Sequence, residues 1–176
     1  LPELHAQRVE ARIDNFLLDD PVLHVQADVA GPASDAVAFV NQSPLHGMTD
    51  GALQHTRIDG NAQVQFGLTL PLNHVEAVQV RGDVQLPGNT LQITPDTPTL
   101  HHTQARLHFN ESGFDLTQAR SQLLGGELQF SGQLRTPNGT PHLRFSGQGS
   151  ASADGLRHSP DWPLLAPLGQ LAQGRA

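Results

Sequence analysis

The chain has 176 residues, within the range of one domain, and its 17 Gly, 13 Pro and 37% hydrophobic residues favour short strands separated by turns. The formal net charge is −7 and every basic residue is an arginine, which argues against nucleic acid as a partner. Because the chain has no cysteine, disulfides, thiolate metal sites and cysteine nucleophiles are excluded. No apolar run approaches the roughly 20 residues of a membrane-spanning helix.

The N-terminal residues alternate between charged and apolar side chains. Val9, Ala11 and Ile13 alternate with arginines and a glutamate, which predicts a first strand over about residues 5–14. The same spacing of apolar residues from Leu23 to Val29 predicts a second strand.

A short helix is predicted after the second strand. Ser34 is a suitable N-cap, Asp35 complements the helix dipole, and Ala36 and Phe39 share one face. Pro44 disfavours helical angles at the preceding residue, so we expect the helix to end near residue 41. We assign a helical insert to about residues 33–50, and residues 45–57 fit either a loop or a second helical turn.

From residue 57 onward the pattern is nearly all strand. Every even position from Ala62 to Leu72 is apolar, which is typical of a strand with one apolar face. Gly82 takes the place of an inward side chain, which indicates a bulge or a curved sheet, and residues 87–90 predict a turn. Further turns at residues 110–113 and 138–139 predict sequential hairpins. We therefore expect a mainly β fold: a curved antiparallel meander with one or two short helices.

The predicted sheet has one apolar face, and such a face needs a cover. The short helix and a proline-rich tail at residues 162–171 are small covers for some nine strands. A closed barrel or folded-over sheet would cover the face internally, whereas a bound lipid would cover it externally. Periodicity alone leaves both possibilities open. The apolar phase of the strands predicts one shared lining: Val64, Phe66, Leu68, Leu70, Val80, Val84, Leu107, Phe109, Leu128, Phe130, Leu143 and Phe145.

Residues that would carry chemistry are sparse. The ten histidines contain no pair at the helical spacing of zinc proteases, and His24, His108 and His142 fall on the polar phase of their strands. Ser43 and Ser112 lack the glycines that flank hydrolase nucleophiles. We therefore predict no catalytic residue, metal site or cofactor, and no enzyme activity.

An ordered set of short motifs resembles the YhdP family, over roughly residues 20–157. The resemblance begins with the short helix and continues through several strands to a double glycine. Its motifs are Ser43-Pro44-Leu45, Ile58-Asp59-Gly60, Leu68-Thr69-Leu70-Pro71-Leu72, Val80-Arg81-Gly82-Asp83-Val84, Leu91-Gln92-Ile93, Leu107 to Phe114, Ala119-Arg120 and Leu124-Gly125-Gly126.

YhdP-like proteins belong with the AsmA-like and TamB-like envelope proteins of Gram-negative bacteria. The resemblance implies a periplasmic segment of an inner-membrane-anchored, bridge-like protein whose open β-groove, a taco-like half-barrel, carries phospholipid between the inner and outer membranes. The expected partners are phospholipid acyl chains and adjacent repeats of the same full-length chain. The alternative is a self-contained β-sandwich or barrel with a structural or protein-binding role in the envelope.

The ends of the chain indicate that it is part of something longer. Leu1 is not an initiator methionine, and the last residues lack a terminating pattern. We interpret residues 1–176 as a single β-groove segment, with a further repeat starting at about 159–176 and the membrane anchor outside the chain. Terminal strands cut from a longer sheet would expose unpaired backbone groups, which predicts edge-to-edge self-association.

Overall fold

The computed structural model describes residues 4–14, 16–17, 19–42, 53–135, 142–152 and 154–155. These residues form one antiparallel sheet and a short helix, α1 (Ala33–Gln42). A single 3₁₀ turn spans Val75–Ala77. The strands are β1 (His5–Asp14), β2 (Val22–Pro32), β3 (Arg57–Asp59), β4 (Asn61–Pro71), β5 (Gln79–Gln92), β6 (Leu100–Asn110), β7 (Gly113–Leu123), β8 (Gly126–Arg135) and β9 (His142–Gly149).

The strands follow one another across the sheet almost in chain order. The hydrogen-bonded order is β1-β2-β4-β5-β6-β7-β8-β9, and β3 pairs with the second half of β5. All pairs are antiparallel, and the sheet is open rather than closed into a barrel. The predicted mainly β antiparallel meander is therefore confirmed.

Helix α1 lies at one end of the sheet, where it contacts β2, β3 and β4. It begins directly after β2, and the Ala33 amide donates to the Gly60 carbonyl across a distance of 2.8 Å. Among the described elements, α1 and the 3₁₀ turn are the non-strand elements with substantial contacts to the sheet. Most of the sheet therefore has no second layer within the described residues.

Irregular backbone recurs at one level across neighbouring strands. Gly60, between β3 and β4, has a φ of +94°, and His102 in β6 and Gln118 in β7 have φ of 51° and 53°. The pairing registers of β5–β6, β6–β7 and β7–β8 shift near this level. Gly88 in β5 lies between Pro87 and Asn89, where the β5–β6 register shifts. Because a bulge bends its strand, these aligned irregularities form a crease, which we define as positions 60, 88, 102 and 118.

The residues that follow three of these positions, 88, 102 and 118, are buried. Asn89, Thr103 and Ala119 are 1%, 0% and 1% exposed, whereas His102 and Gln118 themselves are exposed. At the crease, side chains are therefore buried on the apolar side of the sheet and exposed on its polar side.

One local prediction about β5 was wrong. Residues 87–90 do not form a turn between strands, because β5 runs continuously from Gln79 to Gln92. The Asn89 side chain instead donates to the carbonyls of Asp59 and Asn61, at 2.8 and 3.1 Å. Of the two alternatives predicted for Gly82, a bulge or a curved sheet, the bulge is excluded, since the pairing of Gly82 with β4 and β6 is regular.

Other local predictions have mixed outcomes. The turn at residues 110–113 is confirmed: the Ser112 amide donates to the Asn110 side-chain oxygen at 2.9 Å. The helix ends at Gln42, one residue beyond the expected position. The hairpin turn at 138–139, the rest of the predicted insert at 43–50 and the further repeat at 159–176 lie outside the described residues.

Candidate functional site

The antiparallel registers place the predicted lining on one face. Phe66 pairs with Gly82, which pairs with Phe109. Side chains directly opposite each other in a ladder project to the same side, so this row fixes the face of β4, β5 and β6. The pairing continues through β7 to β8 and β9, so the face of Phe66 also carries Val64, Leu68, Leu70, Val80, Val84, Leu107, Phe109, Leu128, Phe130 and Phe145. Leu143 takes the register position opposite Leu134.

The same face extends over strands that the predicted lining leaves out. On β2, Val25 pairs with Leu68 and Val29 with Val64, and on β1, Ala11 pairs with Val25. The alternation in β1 and β2 is plain in the sequence and would have identified them. On β7, Phe114 and Leu116 precede a bulge that shifts the alternation of apolar residues by one position. A search for strict period-two alternation therefore does not detect this strand. The apolar face therefore runs across the sheet from β1 to β9.

This face is only partly covered. None of the seven phenylalanines is fully buried, and Phe145 is 51% exposed. Among the described residues the fully buried apolar side chains are mostly alanines, with Val80 and Leu100 as the larger ones. Large apolar side chains that belong to a closed core are usually buried. An extended apolar surface that stays accessible marks a binding surface.

Phenylalanine rings fill space left by glycines on this face. A Cβ atom at Gly82 would lie 2.7 Å from the Phe109 Cζ atom, so the ring occupies that side-chain position. At Gly132 the ring of Phe145, its direct cross-strand partner, occupies the equivalent space. The rings therefore pack across the backbone of the neighbouring strand instead of standing upright beside another side chain.

A hydrogen-bonded polar pair interrupts the apolar face at the crease. The hydroxyls of Thr103 and Ser121 lie 3.1 Å apart, and Ser121 donates to the His101 carbonyl at 3.0 Å. Because the Ser121 proton is used there, Thr103 is the donor within the pair. Thr103 and Ser121 are 0% and 5% exposed, so the pair lies buried beside the crease and is not accessible to a ligand.

The opposite face is polar. One cross-strand row runs from β1 to β9 and contains Arg8, Asp28, Gln65, Asp83, His108, Asp115, Gln133 and Arg144. His108 contacts Asp83 at 3.3 Å. The Arg135 Nη2 atom donates to both carboxylate oxygens of Asp115, at 2.7 and 2.6 Å. Such exposed pairs contribute little to stability, so this row is chiefly a solvated surface.

Two exposed side chains have shifted pKa values, Arg8 on this face and Glu76 in the 3₁₀ turn. A hydrogen bond to Glu10, with the attraction of its charge, raises the pKa of Arg8. Hydrogen bonding with its own backbone, and then with His74, lowers the pKa of Glu76. A shallow depression of about 320 Å³ lies over Gly67, between Arg81 and Gln26. Its lining includes side chains of both charge signs, among them Arg81 and Asp83.

The histidines expected on the polar face lie there with polar neighbours. His24 contacts Thr69 at 3.2 Å and Asp14 at 3.3 Å. In the described part of the chain, no group of three or more His, Asp or Glu side chains is placed to hold a metal ion. Within that same part, no helix is long and apolar enough to cross a membrane.

These features define the described part of the chain as an open antiparallel sheet that presents a continuous apolar face and has no second sheet packed over it. The family model described as YhdP protein matches residues 1–176, and the chain belongs to this family. The chain is 31% identical over 90 residues to the "Intermembrane phospholipid transporter YhdP" of Escherichia coli (strain K12). That match covers 51% of this chain and only 7% of the relative. No solved structure matches the chain at a significant level.

Proposed function

We propose that this chain is a periplasmic segment of a bridge-like lipid-transfer protein, and that its apolar face holds phospholipid acyl chains between the inner and outer membranes. The observation that carries the proposal is the continuous, half-buried apolar face from β1 to β9. The E. coli relative is named as an intermembrane phospholipid transporter, and membership of the YhdP family supports a lipid-transport role.

The dimensions of the face suit more than one acyl chain. Its path crosses eight strands, and seven spacings of about 4.8 Å give a length of about 34 Å. The hydrocarbon core of a bilayer is about 30 Å thick, so one leaflet contributes acyl chains of roughly 15 Å. A lipid could therefore move along the face without leaving it. This is the geometry expected of a conduit, not of a pocket for one ligand.

The same proposal gives roles to the remaining surfaces. The polar face would be exposed to the aqueous periplasm, and adjacent repeats of the full-length chain would continue the groove beyond the edge strands. An inner-membrane anchor would lie elsewhere in that protein. Movement of lipid along an apolar face needs no bond to be made or broken, so we propose transport without catalysis.

The alternative, a self-contained sandwich or barrel, has no specific support. A sandwich needs two packed sheets and a barrel needs its first and last strands to pair. The described strands form one open sheet whose order ends at β1 on one side and β9 on the other. A structural role in the envelope would leave the apolar face without an occupant.

The decisive experiment places a carboxylate on the apolar face. Leu68→Asp and Leu107→Asp should strongly reduce the phospholipid bound per chain, because an ionised carboxylate is costly to remove from water. Gln129→Asp places the same carboxylate on the polar face, opposite Arg120 and Gln148, and should retain lipid; Gln65→Asp, also on that face, has Asp28 and Asp83 opposite and is therefore the weaker control. Native mass spectrometry of gently purified protein measures the occupancy. Barrier integrity of the outer membrane, tested with these changes in the full-length protein, measures the physiological effect.

Circular dichroism must accompany these measurements, because an aspartate in a sealed core would also abolish binding by unfolding the protein. The informative comparison uses variants that remain folded. Folded Leu68→Asp and Leu107→Asp chains that load as much phospholipid as the parent would overturn the proposal.

A further inference from the structure

Each of the central strands β5, β6 and β7 contains one extra residue at the level of the crease. Segment 116–119 of β7 advances by three residues while its partners on β8 advance by two. Segment 101–104 of β6 advances by three while β7 advances by two, and segment 87–89 of β5 advances by two while β6 advances by one. The extra residues are Gly88, His102 and Gln118, and all three are exposed. The pairs β2–β4 and β8–β9 have no register shift, so this row of extra residues is confined to the middle of the sheet.

The extra residues add no apolar side chain to the apolar face. In β7 this face carries Leu116 before Gln118 and Ala119 after it, so removal of Gln118 would leave strict alternation. The same is true of β5 without Gly88 and of β6 without His102. Regular strands would therefore present the same apolar residues, and the effect of the extra residues lies in the backbone.

A row of bulges bends a sheet along a line. One bulge bends its own strand and increases its twist, and three bulges at one level in neighbouring strands bend the sheet as a unit. Side chains hold the backbone at this level. Asn89 donates to the carbonyls of Asp59 and Asn61 at 2.8 and 3.1 Å, and Ser121 donates to the His101 carbonyl at 3.0 Å. The bend is therefore fixed by hydrogen bonds in addition to those of the strand ladder.

The line of the bend has the same direction as the proposed lipid path. The crease crosses β5, β6 and β7, and the path from β1 to β9 also runs across the strands. The bend therefore extends along the path. A flat face contacts an acyl chain from one side, whereas a face bent toward the chain contacts it from two sides and buries more of its surface, as concave binding sites do.

We propose that the bulges at Gly88, His102 and Gln118 bend the sheet toward its apolar side along the lipid path, so that the two sides of the crease hold an acyl chain between them. A bend in this direction accounts for the burial of Thr103 and Ala119 on the apolar side. The inference rests on the proposed function. It makes the three extra residues positioning residues that act through the backbone, so their presence matters and their side chains do not.

A deletion variant tests the bend. Removal of Gly88, His102 and Gln118 together keeps the registers of β5, β6 and β7 matched and leaves the apolar residues unchanged. The conservative variant His102→Gly/Gln118→Gly keeps the bulges, since glycine readily adopts the φ of 51° and 53° found there. Circular dichroism establishes that each variant is folded.

The measurement is the exposure of bound lipid to water. Each protein is loaded with a phosphatidylethanolamine that carries a pyrene-labelled acyl chain, and iodide serves as the water-soluble quencher. The quenching constant of the bound lipid should rise roughly twofold in the deletion variant, because one of two contacting sides is lost. It should be unchanged in the glycine variant. Lower stability alone would reduce the amount of lipid bound, not the protection of the lipid that remains bound.

Nitroxide labels give a second test that needs no deletion. Because the chain has no cysteine, Leu86→Cys and Leu91→Cys, on either side of the crease in β5, can each be labelled at a single position. Both labels should quench the pyrene of bound lipid. Quenching by only one label, equal iodide quenching in the parent and a folded deletion variant, or increased iodide quenching in the glycine variant would overturn the inference. A parent chain that binds no lipid would instead overturn the proposed function on which the inference rests.

Discussion

Adding one methyl group to either of two neighbouring glycines should have opposite effects on stability. Gly82 lies on the apolar face, where an added Cβ atom would be 2.7 and 2.9 Å from the Phe109 ring, with the Gln65 carbonyl oxygen closer still. Gly67 lies on the polar face, where the nearest atom to an added Cβ, the Val25 carbonyl oxygen, would be 3.9 Å away. The two glycines are on adjacent strands and nearly opposite each other, so they form a matched pair.

The expected magnitudes follow from these distances. Gly67→Ala has room for its methyl group and should stabilise the protein by about 0.4–1 kcal/mol, because alanine restricts the unfolded chain. Gly82→Ala has the same advantage but overpacks the sheet, which costs about 1–3 kcal/mol. A backbone oxygen cannot move aside as a flexible side chain can, so we expect the upper part of that range. The variants should therefore differ by about 2–3 kcal/mol.

Urea unfolding followed by circular dichroism measures this difference, and thermal melting should show a gap of roughly 5–10 °C for a chain of this size. Gly82→Ala combined with Phe109→Leu should lose less stability than the sum of the single changes. The smaller leucine side chain no longer fills all of the space that the alanine methyl group needs. If Gly82→Ala is as stable as Gly67→Ala, the packing of phenylalanine rings over glycines on this face is wrong.

Three further changes test the crease and the apolar face by urea unfolding. Gln118→Gly should stabilise the chain by about 1 kcal/mol, because its φ of 53° suits glycine and is strained for other residues; unchanged or lower stability would contradict the assigned backbone. Thr103→Val should destabilise by about 1–2 kcal/mol, because it removes the donor to the buried Ser121 hydroxyl, whereas Thr103→Ser should lose less. Phe130→Ala should cost clearly less than the about 3–5 kcal/mol of a fully buried phenylalanine, since Phe130 is half-buried, and should lower phospholipid occupancy in native mass spectra; a full loss would indicate a sealed core.

The strands could be predicted wherever the information is local. β1 has the predicted bounds, His5–Asp14, because charged and apolar residues alternate from Arg8 to Asp14; the two successive polar residues Gln7 and Arg8 coincide with a register shift. The turn between β6 and β7 could be predicted because Asn110 bonds to a backbone amide two residues away. Each of these features depends on a few consecutive residues, and the sequence therefore contains the whole signal.

The crease could not be predicted in this way. Asn89 lies in a stretch with strong turn chemistry, but its side chain bonds to the carbonyls of Asp59 and Asn61, 30 and 28 residues earlier in the chain. This long-range contact keeps β5 continuous where the local sequence predicts a turn. His102 and Gln118 adopt left-handed backbone angles without being glycine, so their residue types give no warning of the bulges. The register shifts in β6 and β7 follow from tertiary pairing, not from local propensity.

The apolar lining lies between these two cases. Period-two alternation assigns each side chain to one of two faces within its own strand, but it does not say which faces of different strands coincide. The apolar faces of β4, β5 and β6 lie on the same side because these strands pair in regular antiparallel register around Phe66, Gly82 and Phe109. The bulge at Gln118 in β7 shifts the alternation by one residue. Before the bulge the even-numbered residues lie on the apolar face, and after it the odd-numbered residues do. Ala119 and Ser121 therefore lie on the same side of the sheet as Leu116, and the apolar face continues across β7.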